Sequence, residues 1–259
     1  MLRGMYTAAS GMIAQQRRQE MLSNNMSNAG TPGFKADQAS IRTFPRMLIA
    51  NLEQRNESSS NELSTGVYLQ EMVPNFFQGN VMETKNQTDI ALIDGNLPEN
   101  GALFFSVQSN EGVRYTRNGN FTIDSTGTLV TNQGMQVLDT NGNPIVLRTE
   151  NFTIRPDGTI IEDGNEIARL NVVFSENANE LVKEGYGLFR LEGNELESAI
   201  GNPNVSYQLQ QGFLERSNVN VEQTMIEMMQ AYRTFEANQR VLQTYDQSLD
   251  KAVNEIGKL

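Results

Sequence analysis

NVEQTMIEMMQAYRTFEANQRVLQTYDQSLDKAVNEIGKL, residues 220–259, is the stretch that decides how the chain is built. In it Val221, Met225, Met228, Tyr232, Phe235, Gln239, Leu242, Asp246, Leu249, Val253 and Ile256 recur at alternating steps of four and three. That is the a/d repeat of a helix seam, interrupted only by Gln239 and Asp246. The stretch has no Pro, and its one Gly is Gly257 at the far end. A helix from Val221 to Ile256 spans roughly 50 Å at about 1.5 Å per residue, longer than the usual helix of a compact domain. The spacing therefore predicts a long helix whose seam needs a partner.

The first segment supplies a shorter candidate. Residues 3–27 read as a helix, with Leu2, Met5, Ala9, Met12, Gln16, Gln19, Ser23 and Met26 on the same four-three spacing and Ile13 and Leu22 widening the stripe. Gly4 and Gly11 each lower helix propensity by about 1 kcal/mol relative to Ala, and each also lets another helix approach closely. Asn28-Ala-Gly-Thr-Pro-Gly33 ends the helix with strong breakers, and Phe34 follows as an isolated aromatic anchor. A membrane-surface helix would need more large aromatics and a more basic flank. A core helix of a single globular domain would carry more Leu. The abundance of Met, Ala, Ser and Gln favours helix-to-helix contact.

Between the two ends the pattern changes. Ile41–Leu52 holds a few apolar residues around Pro45, Glu53–Thr65 is polar and reads as an exposed loop or arm, and Val67–Val73 reads as a strand. From Gly79 to about Gln211 short alternating runs are separated by turn signals. Asn118-Gly119 predicts a hairpin between Val113–Arg117 and Asn120–Asp124. Asp124–Gly127, Asn132–Gly134, Asn141–Pro144, Arg155–Gly158 and Asp163-Gly164 predict further turns. The expected architecture is α+β: long, coiled-coil-like N- and C-terminal helices flanking a central all-β domain of meanders. Its expected divisions are residues 1–36 with 212–259 as a terminal helical domain, 37–78 as a linker or arm, and 79–211 as the β domain.

Composition removes most catalytic chemistry. The 259 residues include no Cys, His or Trp, which excludes thiol nucleophiles, Ser-His-Asp triads, disulfides and zinc sites built on His or Cys. The net charge of −11 argues against nucleic acid as a partner, although residues 1–36 carry Arg3, Arg17, Arg18 and Lys35 against Glu20 alone. No run approaches the ~20 apolar residues of a membrane span, and the N-terminal residues lack the apolar core and cleavage site of a secretory signal. Asp139-Thr-Asn-Gly-Asn143 begins like a calcium loop, but Pro144 stands where the loop requires Gly, so a polar turn is the better reading. Glu162-Asp163 and Glu195/Glu197 are acid pairs of the kind a glycosidase uses, yet nothing in the sequence places them in a cleft. No enzyme activity, cofactor or metal is expected. A secreted β adhesion module would explain the middle of the chain but not its two ends.

Several motifs together carry a resemblance. Ala9-Ser-Gly-Met12, Ser23-Asn-Asn-Met-Ser-Asn28 and Thr31-Pro-Gly-Phe-Lys35 stand at the N-terminus. Gln78-Gly-Asn-Val81, Thr88-Asp-Ile-Ala-Leu92, Tyr115-Thr-Arg-Asn-Gly-Asn-Phe121 and Gly127-Thr-Leu-Val130 follow in the middle. Gly212-Phe-Leu-Glu-Arg-Ser-Asn-Val-Asn220 and Gln230-Ala-Tyr-Arg-Thr-Phe-Glu-Ala-Asn238 lie near the C-terminus. In this order, over nearly the whole chain, they resemble the signatures of the bacterial flagellar rod and hook proteins. The chain departs from that pattern in a longer loop, Asp94–Gly101. The resemblance implies a structural subunit of the flagellar basal-body rod, or alternatively of the hook or hook–rod junction. It implies export by the flagellar type III apparatus without a cleaved signal. The implied partners are copies of the chain and other rod and hook proteins, with no nucleic acid and no membrane insertion. The expected assembly interface comprises Leu2, Met5, Met12, Ile13 and Leu22 in the first helix and Met225, Met228, Tyr232, Phe235, Gln239, Leu242 and Leu249 in the last.

Overall fold

The computed structural model describes residues 2–43, 47–48, 62–63, 66–149, 151–193 and 195–256. The expected arm at Glu53–Thr65 lies outside them, apart from Glu62–Leu63, which pairs with Met47–Leu48. The chain is α+β: an N-terminal helix, a β-rich middle and a C-terminal helix. It divides into two compact units. One gathers Met1–Ser27, Asp37–Val73 and Asn220–Leu259; the other gathers Asn28–Ala36 and Pro74–Val219.

The first unit is built on α1 (Leu2–Ser27) and α2 (Val221–Lys251). Asn220 caps α2, its side chain accepting from the Gln223 amide at 3.1 Å, and Glu222 in the first turn suits the positive end of the helix dipole. With no Pro or Gly to interrupt it, α2 runs 31 residues before a single π turn at Ala252–Ile256. Two strands, Asp37–Thr43 and Val67–Pro74, pair with each other. The second is the strand expected near Val67–Val73; the first lies in a stretch whose mixed pattern gave no such signal. Asn25 ties this ribbon to α1. Its amide nitrogen donates to the Asp37 carbonyl at 2.8 Å and its oxygen accepts from the Asp37 amide at 2.9 Å.

In the second unit the strand Ala102–Ser109 is central. It forms a hairpin with Gly112–Thr116 along one edge and pairs with Val172–Ser175 and Gln136–Val137 along the other. Six consecutive residues, Ala102 to Val107, are buried, because both faces of the strand are covered. Leu103, Phe105 and Val107 point into the larger core with Ile90, Phe121, Leu129 and Val172. Ala102 and Phe104 point the other way, into a smaller core where Phe76, Phe104 and Phe189 stack with centroids 5.2–5.6 Å apart.

Most of the predicted turns are present. Asp124–Gly127 joins Phe121–Ile123 to Leu129–Thr131, and Asn132–Gly134 leads into Gln136–Val137. Arg155–Gly158 and Asp163-Gly164 join the three-stranded meander Phe152–Ile154, Thr159–Glu162 and Asn165–Arg169. Asp163 and Gly164 both have positive φ, 49° and 81°, as a primed two-residue turn requires. The Asn118-Gly119 hairpin is a correction. Gly112–Thr116 pairs with Ala102–Ser109 and Leu188–Arg190, whereas Phe121–Ile123 pairs with Leu129–Thr131. Gly119 is small for another reason: a Cβ there would collide with the Ile90 carbonyl, and Ile90 N donates to Gly119 O at 3.0 Å.

Candidate functional site: a helix pair and a buried ionic clasp

The helix pair is held where α1 is thinnest. A Cβ on Gly4 would collide with the Tyr245 ring, and one on Gly11 would sit 2.8 Å from the Asn238 amide nitrogen. Further along, Arg18 Nη2 meets Glu227 Oε2 at 3.0 Å. As α1 advances, its contacts on α2 step backward, so the helices run antiparallel. The α1 residues turned inward include Ala8, Gly11, Ala14, Met21, Leu22 and Asn25, all buried.

This arrangement corrects the phase of the expected seam. On α2, Met228, Phe235, Leu242 and Leu249 are half-buried, as one column of the repeat requires. The other column is not Val221, Met225, Tyr232, Gln239, Asp246 and Val253, which are exposed. It is Thr224, Ala231, Asn238, Tyr245 and Ala252, one residue earlier, of which Thr224 and Ala231 are buried. Helices that approach at glycine leave room for small or slender inward side chains, and the bulky Met and Tyr column turns outward. On α1, Leu22 is buried and Met5 and Met12 are half-buried, but Ile13 is 62% exposed. Nothing is described of the Leu2 side chain.

The second unit contains a cluster that the sequence reading missed. Glu215 is buried, and its two oxygens are divided between two cations. Oε1 accepts from Lys35 Nζ at 2.8 Å and from the Gly79 amide at 2.7 Å; Oε2 accepts from Arg117 Nε at 2.6 Å. Arg117 also donates to Asp94 Oδ1 at 2.7 Å and to the Leu103 and Leu92 carbonyls. Lys35 uses its other protons on the carbonyls of Phe76 and Phe77. The four side chains sum to zero charge, and each donor nitrogen of Lys35 and Arg117 has an acceptor, which is what makes a buried ionic cluster tolerable. Burial opposes the charge on Glu215, but Arg117 and Lys35 outweigh it and hold the carboxyl below its ordinary pKa. Burial, then the neighbouring Arg117, draw the Lys35 ammonium below its ordinary value against the pull of Glu215.

Around this cluster, distant parts of the sequence are clasped together. The Gly33 amide donates to the Glu215 carbonyl at 2.8 Å, and Gly33 has φ +67° where its backbone presses on Arg117. Asn218 accepts from the Ala36 amide and donates to the carbonyls of Asn75 and Phe77. Gln78 bonds the Leu92 carbonyl and the Asp94 amide. Lys35, Gln78-Gly79, Arg117, and Glu215 with Asn218 come from four separate motifs, all converging here. Phe34 is buried as the expected anchor, with Lys183 Nζ 4.1 Å above its ring centre.

Two of the acidic candidates, Asp139 and Glu162, have structural partners. Asp139 Oδ1 accepts from the amides of Asn141 and Asn143, both at 2.8 Å, and Gly142 turns the chain at φ +78°. Glu162 Oε1 accepts from the Arg148 and Thr149 amides and the Thr149 hydroxyl. Among the described residues no group of three Asp or Glu converges to hold a metal ion, and no helix is long and apolar enough to cross a membrane.

Comparison with known proteins covers these same segments. Residues 5–35 match the family model for flagella basal body rod protein. Residues 100–162 match the flagellar hook protein FlgE/F/G D1 domain, and residues 210–255 match the flagellar basal body rod FlgEFG protein C-terminal model. The chain is 45% identical to the flagellar hook-basal body complex protein FlhO of Bacillus subtilis, over 100% of both chains. It is 31% identical to the flagellar basal-body rod protein FlgG of the same organism, over 98% of this chain and 99% of that one. With FlgF of Caulobacter vibrioides it shares 29% identity over 98% of each. The clasp residues Lys35 and Glu215 fall within the first and last matched segments, Arg117 within the middle one, and the likeness runs from end to end. The chain belongs to the flagellar basal-body rod protein family.

Proposed function

We propose that this protein is a structural subunit of the flagellar basal-body rod, part of the axial shaft that transmits torque from motor to hook. It acts by assembly rather than catalysis. Its terminal helices form coiled-coil-like contacts with neighbouring copies and with other rod and hook proteins, and its β-rich unit faces outward. Met225, Tyr232 and Gln239 on the exposed side of α2, and Ile13 on α1, belong to those contacts, with Leu2, Met5 and Met12 beside them. The protein reaches the extracytoplasmic basal body through the flagellar type III apparatus, without a cleaved signal.

The observation that carries this reading is the full-length likeness to proteins named as rod or hook-basal body components. The exposed Met and Tyr column of α2 supports it, since a free monomer gains nothing by holding bulky apolar side chains in water. Two experiments test it. Electron microscopy of a deletion strain should show rods lost together with hooks; complete rods lacking only hooks would instead favour the hook–rod junction. Leu242→Asp should leave the β-rich unit folded while abolishing assembly and motility, and normal swimming would refute the helix pair as the assembly element.

A further inference from the structure

One groove in the β-rich unit takes no part in the clasp or the helix pair. It measures about 640 Å³ and is lined by the segment Lys85–Thr88, by Asn120–Ile123 and by Asn132. Phe121–Ile123 is the last strand of its sheet and pairs with Leu129–Thr131; an isolated bridge from Asn120 to Asp89 holds its start. Asp124 N donates to the Thr128 carbonyl. In the alternation of an antiparallel pair, Thr122 therefore faces Leu129–Thr131, and the backbone groups of Ile123 turn the other way.

The lining is held in place from beneath. Asp89 is 3% exposed, and its Oδ1 accepts from the Asn120 side-chain nitrogen at 2.7 Å. Asn120 Oδ1 in turn accepts from the Asn132 side-chain nitrogen. A buried carboxylate thus sets which way two amides face. Lys85 stands at φ +61°, a setting uncommon for a residue with a Cβ. The Thr84 and Lys85 amides keep it there, both donating to the Gly212 carbonyl, at 2.8 and 3.1 Å. Among the described residues, the Lys85 ammonium, the Asn86 and Gln87 side-chain amides and the Thr122 hydroxyl have no partner.

That chemistry narrows the ligand. Side-chain amides and hydroxyls both donate and accept, as sugar hydroxyls and acetamido groups require, and Lys85 is the one charge on the lining. A single ammonium is too little for a phosphate chain, which takes several cations or a nest of backbone amides. Phe121 is 2% exposed, so no ring face is offered to a nucleobase. The strand has three residues, too few rungs to hold an added peptide strand by its backbone.

We propose that this groove binds an oligosaccharide carrying acetamido and carboxylate groups. Asn86, Gln87 and Asn132 take the acetamido and hydroxyl groups, and Lys85 takes the carboxylate. The site lies wholly in the β-rich unit and is independent of the helix pair. With no ring to stack on a sugar, binding at one site is weak, which makes nuclear magnetic resonance the suitable measurement.

Titration of the isotopically labelled full chain with a tetrasaccharide of alternating N-acetylglucosamine and N-acetylmuramic acid should shift the amide signals of Lys85–Thr88, Thr122, Ile123 and Asn132 saturably. Chitotetraose keeps the acetamido groups and lacks the carboxylates. It should bind the same groove about tenfold more weakly, the worth of one charge-assisted hydrogen bond. Lys85→Gln should abolish that difference, and Asn132→Ala should weaken both ligands, with signals outside the groove unmoved in each variant as the check on folding. The absence of saturable shifts with either sugar, shifts centred elsewhere, equal binding of the two sugars, or a preference that survives Lys85→Gln would overturn the proposal. Free oligosaccharides and the strands of a cell wall share this chemistry, and co-sedimentation with purified peptidoglycan separates them. Retention that is lost in Asn132→Ala marks the wall polymer; saturable shifts without retention mark a free oligosaccharide.

Discussion

The clasp and the outer face of α2 invert the usual distribution of side chains. In the clasp, Lys35, Arg117 and Glu215 are buried with all their charges, and every partner comes from the same unit. On α2, Met225, Met229 and Tyr232 are each half or more exposed among the described residues. The clasp is closed: its charge sums to zero and each of its donor nitrogens has an acceptor. The α2 face is open, its apolar area left for something else to cover. Perturbing the clasp should therefore appear in the stability of the free chain, and perturbing the α2 face should appear only on assembly.

The largest expected effect is at Glu215. Glu215→Ala leaves two buried cations without their shared anion, and removing one member of a buried ionic cluster costs roughly 3–5 kcal/mol. Chemical denaturation followed by a signal from the β-rich unit should show that loss. Replacing Lys35, Arg117 and Glu215 together with apolar residues of similar volume should recover much of it, since the uncompensated charge is the main penalty. A loss below about 1 kcal/mol, the worth of an exposed pair, would show that the clasp contributes no more than a surface salt bridge.

Next in size is Gly11→Leu. The new side chain would occupy the space of Asn238 and push the helices apart, an overpacking cost of about 1–3 kcal/mol. Gly11→Ala is the finer probe, because better helix propensity by about 1 kcal/mol opposes the clash. Thermal melting by helix circular dichroism should show the Leu variant destabilised and the Ala variant close to neutral. Stabilisation by Leu would mean that the helices do not approach at this point.

Acid should act through the clasp as well. Glu215 has a native pKa below its ordinary 4.5, so between the two values the unfolded chain binds more protons and stability rises with pH. The contribution is complete above about 4.5 and is lost as the pH falls through the native value. Stability measured from neutral pH down to about pH 3 should fall less steeply in Glu215→Gln than in wild type. Parallel curves would show that Glu215 is not the group responsible.

How much of this could be read in the sequence follows the same division. The extent of α2 and its inward Met228, Phe235, Leu242 and Leu249 were legible, because large apolar residues at heptad spacing give a strong signal. The companion column was not. Thr224, Ala231, Asn238 and Tyr245 are small or polar-tipped, and the bulky Met225 and Tyr232 beside them fit the repeat better. Hydrophobicity marks a residue as needing cover but not which molecule supplies it. The turns at Asp124–Gly127 and Asp163-Gly164 were legible from local backbone demands. Asn118-Gly119 carries the same letters for a non-local reason, the approach of Ile90. The clasp joins residues 180 and 98 positions apart, and no local pattern announces that three scattered charges will meet.

The smallest effect on the free chain is expected at Tyr232, and it separates the two regions most sharply. Tyr232 is 56% exposed, so Tyr232→Ser removes little area that folding had buried. Loss of helix propensity between these residues is slight, and surface changes away from special features usually stay within about 0.5 kcal/mol. The melting temperature of the monomer should hardly move. If the α2 face is covered in the assembly, the same change removes an aromatic anchor, the residue type whose truncation typically costs more than about 2 kcal/mol at a hot spot. The variant should then be folded yet depleted from basal bodies, with swimming reduced in proportion. Met229→Ser beside it should behave the same way. Wild-type incorporation of both variants would mean that this exposed column is a surface no neighbour reads. A variant that unfolds as a monomer would mean that the column is covered within the chain, and the contrast between closed clasp and open face would fail with it.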